Sequence, residues 1–117
     1  MEVTLYNLKT LNENGRISFY RNVKTFVNDE GELIISCCDI NNTAEVMFGD
    51  SGVEFYLTLD KENTNKVISE FGIINSKLVR QELLHKLESE FGGKDSCFED
   101  VMEYLDTKNI DYQYDKW

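Results

Sequence analysis

The pattern of hydrophobic and polar positions divides the chain into two halves. As far as about Leu59, short runs rich in Val, Ile, Phe and Tyr alternate with turn clusters of Asn, Asp and Gly, which is typical of antiparallel strands. In the remainder, apolar residues recur at helical spacing. We therefore predict an α+β fold, in which an antiparallel β-sheet of about five strands from the N-terminal half packs against two to three C-terminal α-helices.

Three strands are predicted in the first third of the chain. The first runs near Val3 to Leu8, and the turn Asn12-Glu13-Asn14-Gly15 leads into a long second strand from Arg16 to about Val27. A second turn, from Asn28 to Gly31, precedes the segment from Leu33 to Cys38, which is apolar on both faces. This pattern predicts a central strand that is covered on each side.

A hairpin is predicted next. Its strands are Ala44 to Phe48 and Val53 to Leu59, and Gly49-Asp50-Ser51-Gly52 is its turn. The second strand alternates apolar and polar residues, so that Val53, Phe55, Leu57 and Leu59 share one face. Glu54, on the opposite face, is expected to point into solvent.

The second half of the chain carries start and stop signals for helices. Asp60 is the expected N-cap of a helix that runs to Phe71 and stops at Gly72. A second helix is predicted from about Ser76 to Gly92-Gly93, with an apolar stripe of Val79, Leu83, Leu84, Leu87 and Phe91.

The last quarter of the chain predicts one more helix and a possible strand. Ser96-Cys97-Phe98-Glu99 matches a capping box and opens a helix with an apolar face of Phe98, Val101, Met102 and Leu105. Ile110, Tyr112 and Tyr114 alternate with polar residues. This alternation predicts a terminal strand that returns to the sheet, with Trp117 near the edge.

Composition and charge narrow the classes of function. The 117 residues, 41% of them hydrophobic and 12% aromatic, predict a chain that folds as one domain. With 22 acidic and 12 basic residues, the net charge is −10. This charge argues against direct contact with nucleic acid or an anionic membrane, because both require a basic patch. We expect a basic protein partner.

The acidic residues are concentrated between Thr25 and Asp60, where eight carboxylates occur without a Lys or Arg. Such a surface suits a cationic partner, or else serves only to keep the protein soluble. If the hairpin and the neighbouring turns lie on one edge of the sheet, the carboxylates converge into a patch that competes for a phosphate-binding site. The predicted partner-binding residues are Asp29, Glu30, Glu32, Asp39, Glu45, Asp50, Glu54 and Tyr56, with Tyr20, Tyr112, Tyr114 and Trp117 as further aromatic anchors.

The cysteines and the N-terminus indicate the cellular compartment in which the protein is expected. Cys37, Cys38 and Cys97 are an odd number without C-x-x-C spacing, which predicts reduced thiols that act as small buried hydrophobes. The N-terminal residues lack the charged and apolar regions of an export signal, and the apolar runs are too short to span a bilayer. We therefore expect a cytoplasmic protein.

Two further patterns bear on catalysis and metal binding, and neither predicts a catalytic residue, a metal or a cofactor. His85 is the only histidine, and Glu82 and Glu88 flank it at helical spacing, which predicts an exposed, ion-paired helix face. Alternate oxygen-bearing residues from Asp39 to Asp50 resemble a calcium loop. However, Ala44 occupies the position where the sharp turn needs Gly.

Short matches spread from Leu33 to Trp117 carry a family resemblance. They are Ile35-Ser36-Cys37-Cys38-Asp39, Glu45, Phe48-Gly49-Asp50, Glu54 to Leu59, and Asn109 to Tyr112 before Trp117. In these segments the chain resembles a group of small, uncharacterised bacterial proteins that are similar to the immunity proteins of toxin systems in size and charge. It departs from them where Cys37-Cys38 stands in place of a polar pair. The resemblance implies a protein-binding role and no catalytic residue.

The leading interpretation is an acidic, cytoplasmic inhibitor of the immunity or antitoxin type that neutralises a basic toxin or nuclease. Two alternatives remain open. One is a phage protein that mimics the charge of nucleic acid and blocks a host defence nuclease, and the other is a small hydrolase or metal-binding enzyme. The enzyme would use pairs of carboxylates drawn from Asp39, Glu45, Asp50 and Glu54. A subunit that self-associates through an exposed edge strand is a third alternative.

Overall fold

The computed structural model describes residues 1–11, 13, 15, 17–41, 53–74 and 77–116, with the backbone alone for residues 17, 18, 40 and 41. The fold is α+β, as predicted, with a five-stranded antiparallel sheet and three helices in the C-terminal half of the described residues. The elements are β1 (Glu2–Leu11), β2 (Ile17–Val27), β3 (Leu33–Asn41), β4 (Val53–Leu59), α1 (Lys61–Glu70), α2 (Val79–Phe91), α3 (Cys97–Thr107) and β5 (Gln113–Lys116).

The strands lie side by side in the order β1-β2-β3-β4-β5, and each neighbouring pair is antiparallel. The prediction that the segment from Leu33 lies in the middle of the sheet is confirmed. The predicted return of the C-terminal segment is also confirmed, because Gln113 and Asp115 pair with Thr58 and Tyr56 of β4. The predicted strand from Ala44 to Phe48, its turn and Trp117 lie outside the described residues.

All three helices pack on one face of the sheet, which we call the inner face. Leu57 and Leu59 of β4 and Ile35 of β3 are completely buried there, in one core with Leu83 of α2 and Val101 of α3. The alternate residues of each strand form the outer face, on which no described helix packs. The prediction that β3 is covered on both sides is therefore wrong for the part of the chain that the structure describes: Ile34, Ser36 and Cys38 are only half-buried.

The first helix begins as predicted. The Asp60 carboxylate accepts hydrogen bonds from the backbone N–H of Asn63 at 2.8 Å and from its side-chain amide at 3.0 Å, which makes Asp60 the N-cap. One turn further on, the Thr64 hydroxyl donates to the carbonyl of Leu59 at 3.1 Å and accepts from the N–H of Leu33 at 3.0 Å. Thr64 is 2% exposed, so one buried hydroxyl connects α1, β3 and β4.

The starts of the other two helices differ from the predictions. Helix α2 begins at Val79 with Leu78 at the N-cap position, a little later than predicted. Helix α3 begins where the capping box predicts, but Ser96 makes no side-chain cap. The contacts that the capping box predicts are therefore not formed. Instead, the Ser96 hydroxyl donates to Asp100 at 3.0 Å, and the Glu99 carboxylate binds Arg21 of β2.

Among the described residues, no helix is long and apolar enough to cross a membrane.

We expect Thr64→Val to lower the free energy of unfolding by about 1–3 kcal/mol, because the isosteric side chain leaves the buried N–H of Leu33 without a partner. Urea titration would measure the change. Thr58→Val on the half-buried outer face is the matched control, and we expect it to stay within about 0.5 kcal/mol of the wild type. Equal effects of the two substitutions would contradict the connecting role of Thr64.

Candidate protein-binding surface

A shallow depression lies on the outer face, over the centre of the sheet. It has a volume of about 460 Å³ and is lined by Phe26, Ile34, Glu54, Tyr56, Thr58 and Asp115. The strand registers bring these residues together, since Ile34 lies between Phe26 and Thr58, and Tyr56 pairs with Asp115. The depression therefore combines an apolar and aromatic floor with two carboxylates.

A second depression, of about 190 Å³, lies at the end of the sheet where β4 runs into α1. It is lined by Glu32, Thr58, Asp60, Asn63, Asp111, Tyr112 and Gln113. Because Thr58 lines both depressions, the two form one continuous surface. We call this surface, made by the residues that line the two depressions, the acidic face.

The acidic face carries charge of one sign. Its charged residues are five carboxylates, and no Lys or Arg of the described chain lines it: Glu32, Glu54, Asp60, Asp111 and Asp115. Lys24, also on the outer face, is 3.5 Å from the carboxylate of Glu2. Uncompensated carboxylates, two of them beside the half-buried apolar floor, produce a local negative potential that attracts cations.

Hydrogen bonds fix several of these side chains in place. The Tyr56 hydroxyl donates to Glu54 at 2.7 Å, and this bond, with burial as a smaller cause, raises the pKa of Tyr56. The Glu32 carboxylate accepts from the side-chain amide of Asn28 at 2.8 Å. The Asn63 side chain accepts from the backbone N–H of Asp111 at 3.2 Å. The surface is therefore partly preorganised, which reduces the entropy that binding would cost.

The structure brings together only some of the predicted partner-binding residues. Glu32, Glu54 and Tyr56 lie on the acidic face. Asp29 and Glu30 are exposed in the turn between β2 and β3, at the same end of the sheet as Glu32. Glu45 and Asp50, which were also predicted to bind the partner, lie outside the described residues.

Asp39 occupies a different environment. It lies on the inner face, where it pairs with Arg21 in the β2–β3 register at 3.4 Å from the guanidinium. The same guanidinium donates to both carboxylate oxygens of Glu99 on α3, at 2.7 and 2.9 Å. Asp39 thus belongs to an ionic contact that joins the sheet to a helix, and it is on the opposite side of the sheet from Glu54.

The two buried thiols and the histidine lie apart from the acidic face, whereas Cys38 is the neighbour of Glu54 in the β3–β4 register. Cys37 and Cys97 are buried, and burial is the main cause that raises the pKa of Cys37 to about 12 and that of Cys97 to about 11. Both thiols therefore stay protonated near neutral pH, and the prediction of buried hydrophobes is confirmed for them. Cys38 is half-buried and His85 is exposed. The described residues contain no cluster of three or more His, Cys, Asp or Glu that could hold a metal ion.

Sequence reasoning missed several residues of this surface, among them Phe26, Ile34, Asp111 and Asp115. The alternation of the terminal strand already separates Asp111 and Asp115 from the tyrosines, but their position beside β4 depends on the pairing of β5. Phe26 and Ile34 flank the turn between β2 and β3, next to the buried Leu33. Strand alternation could have assigned them to the outer face.

Comparison of the chain with models of protein families, with curated proteins and with solved structures gave no significant match.

The position of Asp39 predicts a pH dependence of stability. Burial raises the pKa of Asp39 above the ordinary 3.8, although Arg21 lowers it. The folded protein therefore holds this proton more tightly than the unfolded chain does, so the contribution of Asp39 to stability is largest below its ordinary pKa and is lost as pH rises through the folded-state value.

We therefore expect the stability of Asp39→Asn relative to the wild type to increase between pH 3 and pH 7. Urea unfolding of both proteins at several pH values would measure it. Glu103→Gln removes an exposed carboxyl of α3 and controls for net charge. A decrease in the relative stability of Asp39→Asn over this range would contradict the assignment.

Proposed function

We propose that this chain is an acidic protein-binding inhibitor of the immunity or antitoxin type, which neutralises a basic toxin or nuclease by binding it with the acidic face. The observation that carries the proposal is the set of five carboxylates on the acidic face, two of them beside the apolar floor, without a cation of the described chain among the lining residues. We place the function in the cytoplasm, where the three free cysteines would stay reduced.

The charge supports a basic partner. A negative surface on a chain of net charge −10 accelerates association with a cationic surface and disfavours anionic competitors. A nuclease or toxin that binds nucleic acid has such a cationic site. Carboxylates placed in that site would occupy the positions of phosphates. A mimic of nucleic acid charge would use the same surface in the same way.

The apolar residues support a specific complex rather than diffuse attraction. Phe26, Ile34 and Tyr56 are half-buried in the floor of the first depression. Aromatic side chains at the centre of an interface contribute much of the binding energy, and a charged rim sets selectivity and association rate. Tyr56 meets both needs, since its ring lies in the floor and its hydroxyl holds Glu54.

The alternative of a carboxylate-based enzyme gains no support from the described residues. Of its four candidate carboxylates the structure describes Asp39 and Glu54, and these two lie on opposite faces of the sheet, one bound to Arg21 and the other to Tyr56. We therefore propose no second function.

The test compares the wild type with a double charge reversal, Glu54→Lys/Asp115→Lys, in pull-downs from lysate of the native host at low and high salt. We expect a basic protein that the wild type retains at low salt and the variant loses. With the partner purified, we expect at least a tenfold increase in Kd for the variant, since each lost interfacial charge pair costs about 2 kcal/mol or more. The wild type should also inhibit the toxic or nuclease activity of that partner.

Glu88→Lys/Glu103→Lys is the matched control, because it makes the same change of charge on exposed positions of α2 and α3. We expect this variant to bind and inhibit like the wild type. Equal losses of binding in both variants would show that the effect depends on net charge alone and not on the acidic face. A partner that binds but keeps its activity would contradict the proposed inhibitor function.

A further inference from the structure

A groove of about 480 Å³ lies between α1, α2 and the turn after β2. It is the largest of the depressions described here and is separate from the acidic face. Its volume is within the range of small-molecule sites.

The charged residues that line the groove are positive, whereas those of the acidic face are negative. Lys61, Lys77 and Arg80 are its charged residues, and no carboxylate of the described chain lines it, although the protein has 22 acidic and only 12 basic residues. Within the described ranges, Lys61 and Arg80 form no ion pair, whereas other cations such as Lys86 and Lys108 do. Exposed cations without an internal partner remain available to an external anion.

The rest of the lining is largely apolar. Val27, Ile68, Val79 and Leu83 contribute to its walls, and Leu78 at the rim is 47% exposed. A fully hydrated inorganic ion would leave these apolar walls in contact with water. An organic anion with an apolar body would cover them and place its charge beside the cations.

The N-terminus of α2 also favours a negatively charged ligand in the groove. Leu78 occupies the N-cap position without a side-chain cap, and Leu78, Val79, Arg80 and Gln81 all line the groove. The first N–H groups of a helix carry a partial positive charge and lack partners within the helix. They add hydrogen-bond donors to a groove that is already cationic.

We propose that this groove binds a small organic anion, in which a carboxylate or phosphate group lies near Lys61 and Arg80 and a short apolar body lies along Val27, Ile68 and Val79. The site does not depend on the proposed inhibitor function, because it shares no lining residue with the acidic face.

The test uses octanoate, octyl phosphate and 1-octanol as probes of one chain length, titrated into the full chain and followed by the ¹H–¹⁵N NMR signals of Val79, Arg80 and Gln81. We expect at least one anion to shift these signals saturably, with an affinity at least tenfold higher than that of 1-octanol. The tighter of the two anions identifies the head group. Lys61→Gln and Arg80→Gln should each weaken its binding about tenfold, as for the loss of a charge-assisted hydrogen bond.

Lys66→Gln is the matched control, since Lys66 is exposed on α1 and does not line this groove. We expect it to bind both anions like the wild type. Equal binding of 1-octanol and the anions would identify an apolar cleft without anion selectivity, and would overturn the proposal. Unchanged affinity in Lys61→Gln and Arg80→Gln, or shifts confined to other parts of the chain, would overturn it as well.

Discussion

The helices cover one face of the sheet, and the composition of the strands follows from that constraint. Most inner positions are excluded from water and carry Val, Leu, Ile or Cys, and Leu57, Leu59 and Ile35 are completely buried. Outer positions meet water in the described part of the chain and tolerate Glu54, Tyr56 and Lys24. Burial on one side supplies the hydrophobic free energy that a sheet of this size needs, and it leaves the other side available for recognition. The acidic face is a consequence of this asymmetry.

Two polar contacts fix how the helices sit on the sheet. Thr64 satisfies backbone groups of β3 and β4 from within α1, and Arg21 joins β2 to α3 through both oxygens of Glu99. Each contact crosses a boundary between elements that apolar packing alone would leave free to slide. The Nε atom of Arg21 is buried without a hydrogen-bond partner among the described residues, so this contact also carries a desolvation cost. The contact also fixes an orientation, since Nη1 of Arg21 faces Asp39 and Nη2 binds both oxygens of Glu99.

The sequence predicts what depends on local pattern. The alternation in Val53–Leu59 assigned the buried face of β4, and Asp60 before a helical run marked the N-cap of α1. Predictions failed where the surroundings of a side chain depend on a residue that is distant in the sequence. Ile34 lies beside Phe26 on the outer face, where no described helix covers it, and Glu99 binds Arg21, which lies 78 positions earlier in the chain. Within the described residues, the acidic stretch does not form one patch on its own: Asp39 lies on the inner face, while Asp111 and Asp115 join from the C-terminal segment, which pairs with β4 through β5.

Charge is segregated at the start of α1. Asp60 lines the second depression of the acidic face, and its immediate neighbour Lys61 lines the cationic groove. Successive residues at the start of a helix point in different directions, so a single turn can border surfaces of opposite sign. An anion bound in the groove would neutralise the positive charge of Lys61, beside Asp60 of the acidic face. Its negative charge would then strengthen the attraction of that face for a cationic partner, and by linkage the partner would strengthen binding of the anion to the same extent. Salt weakens this coupling, because exposed charges are screened over about 8–10 Å at physiological ionic strength.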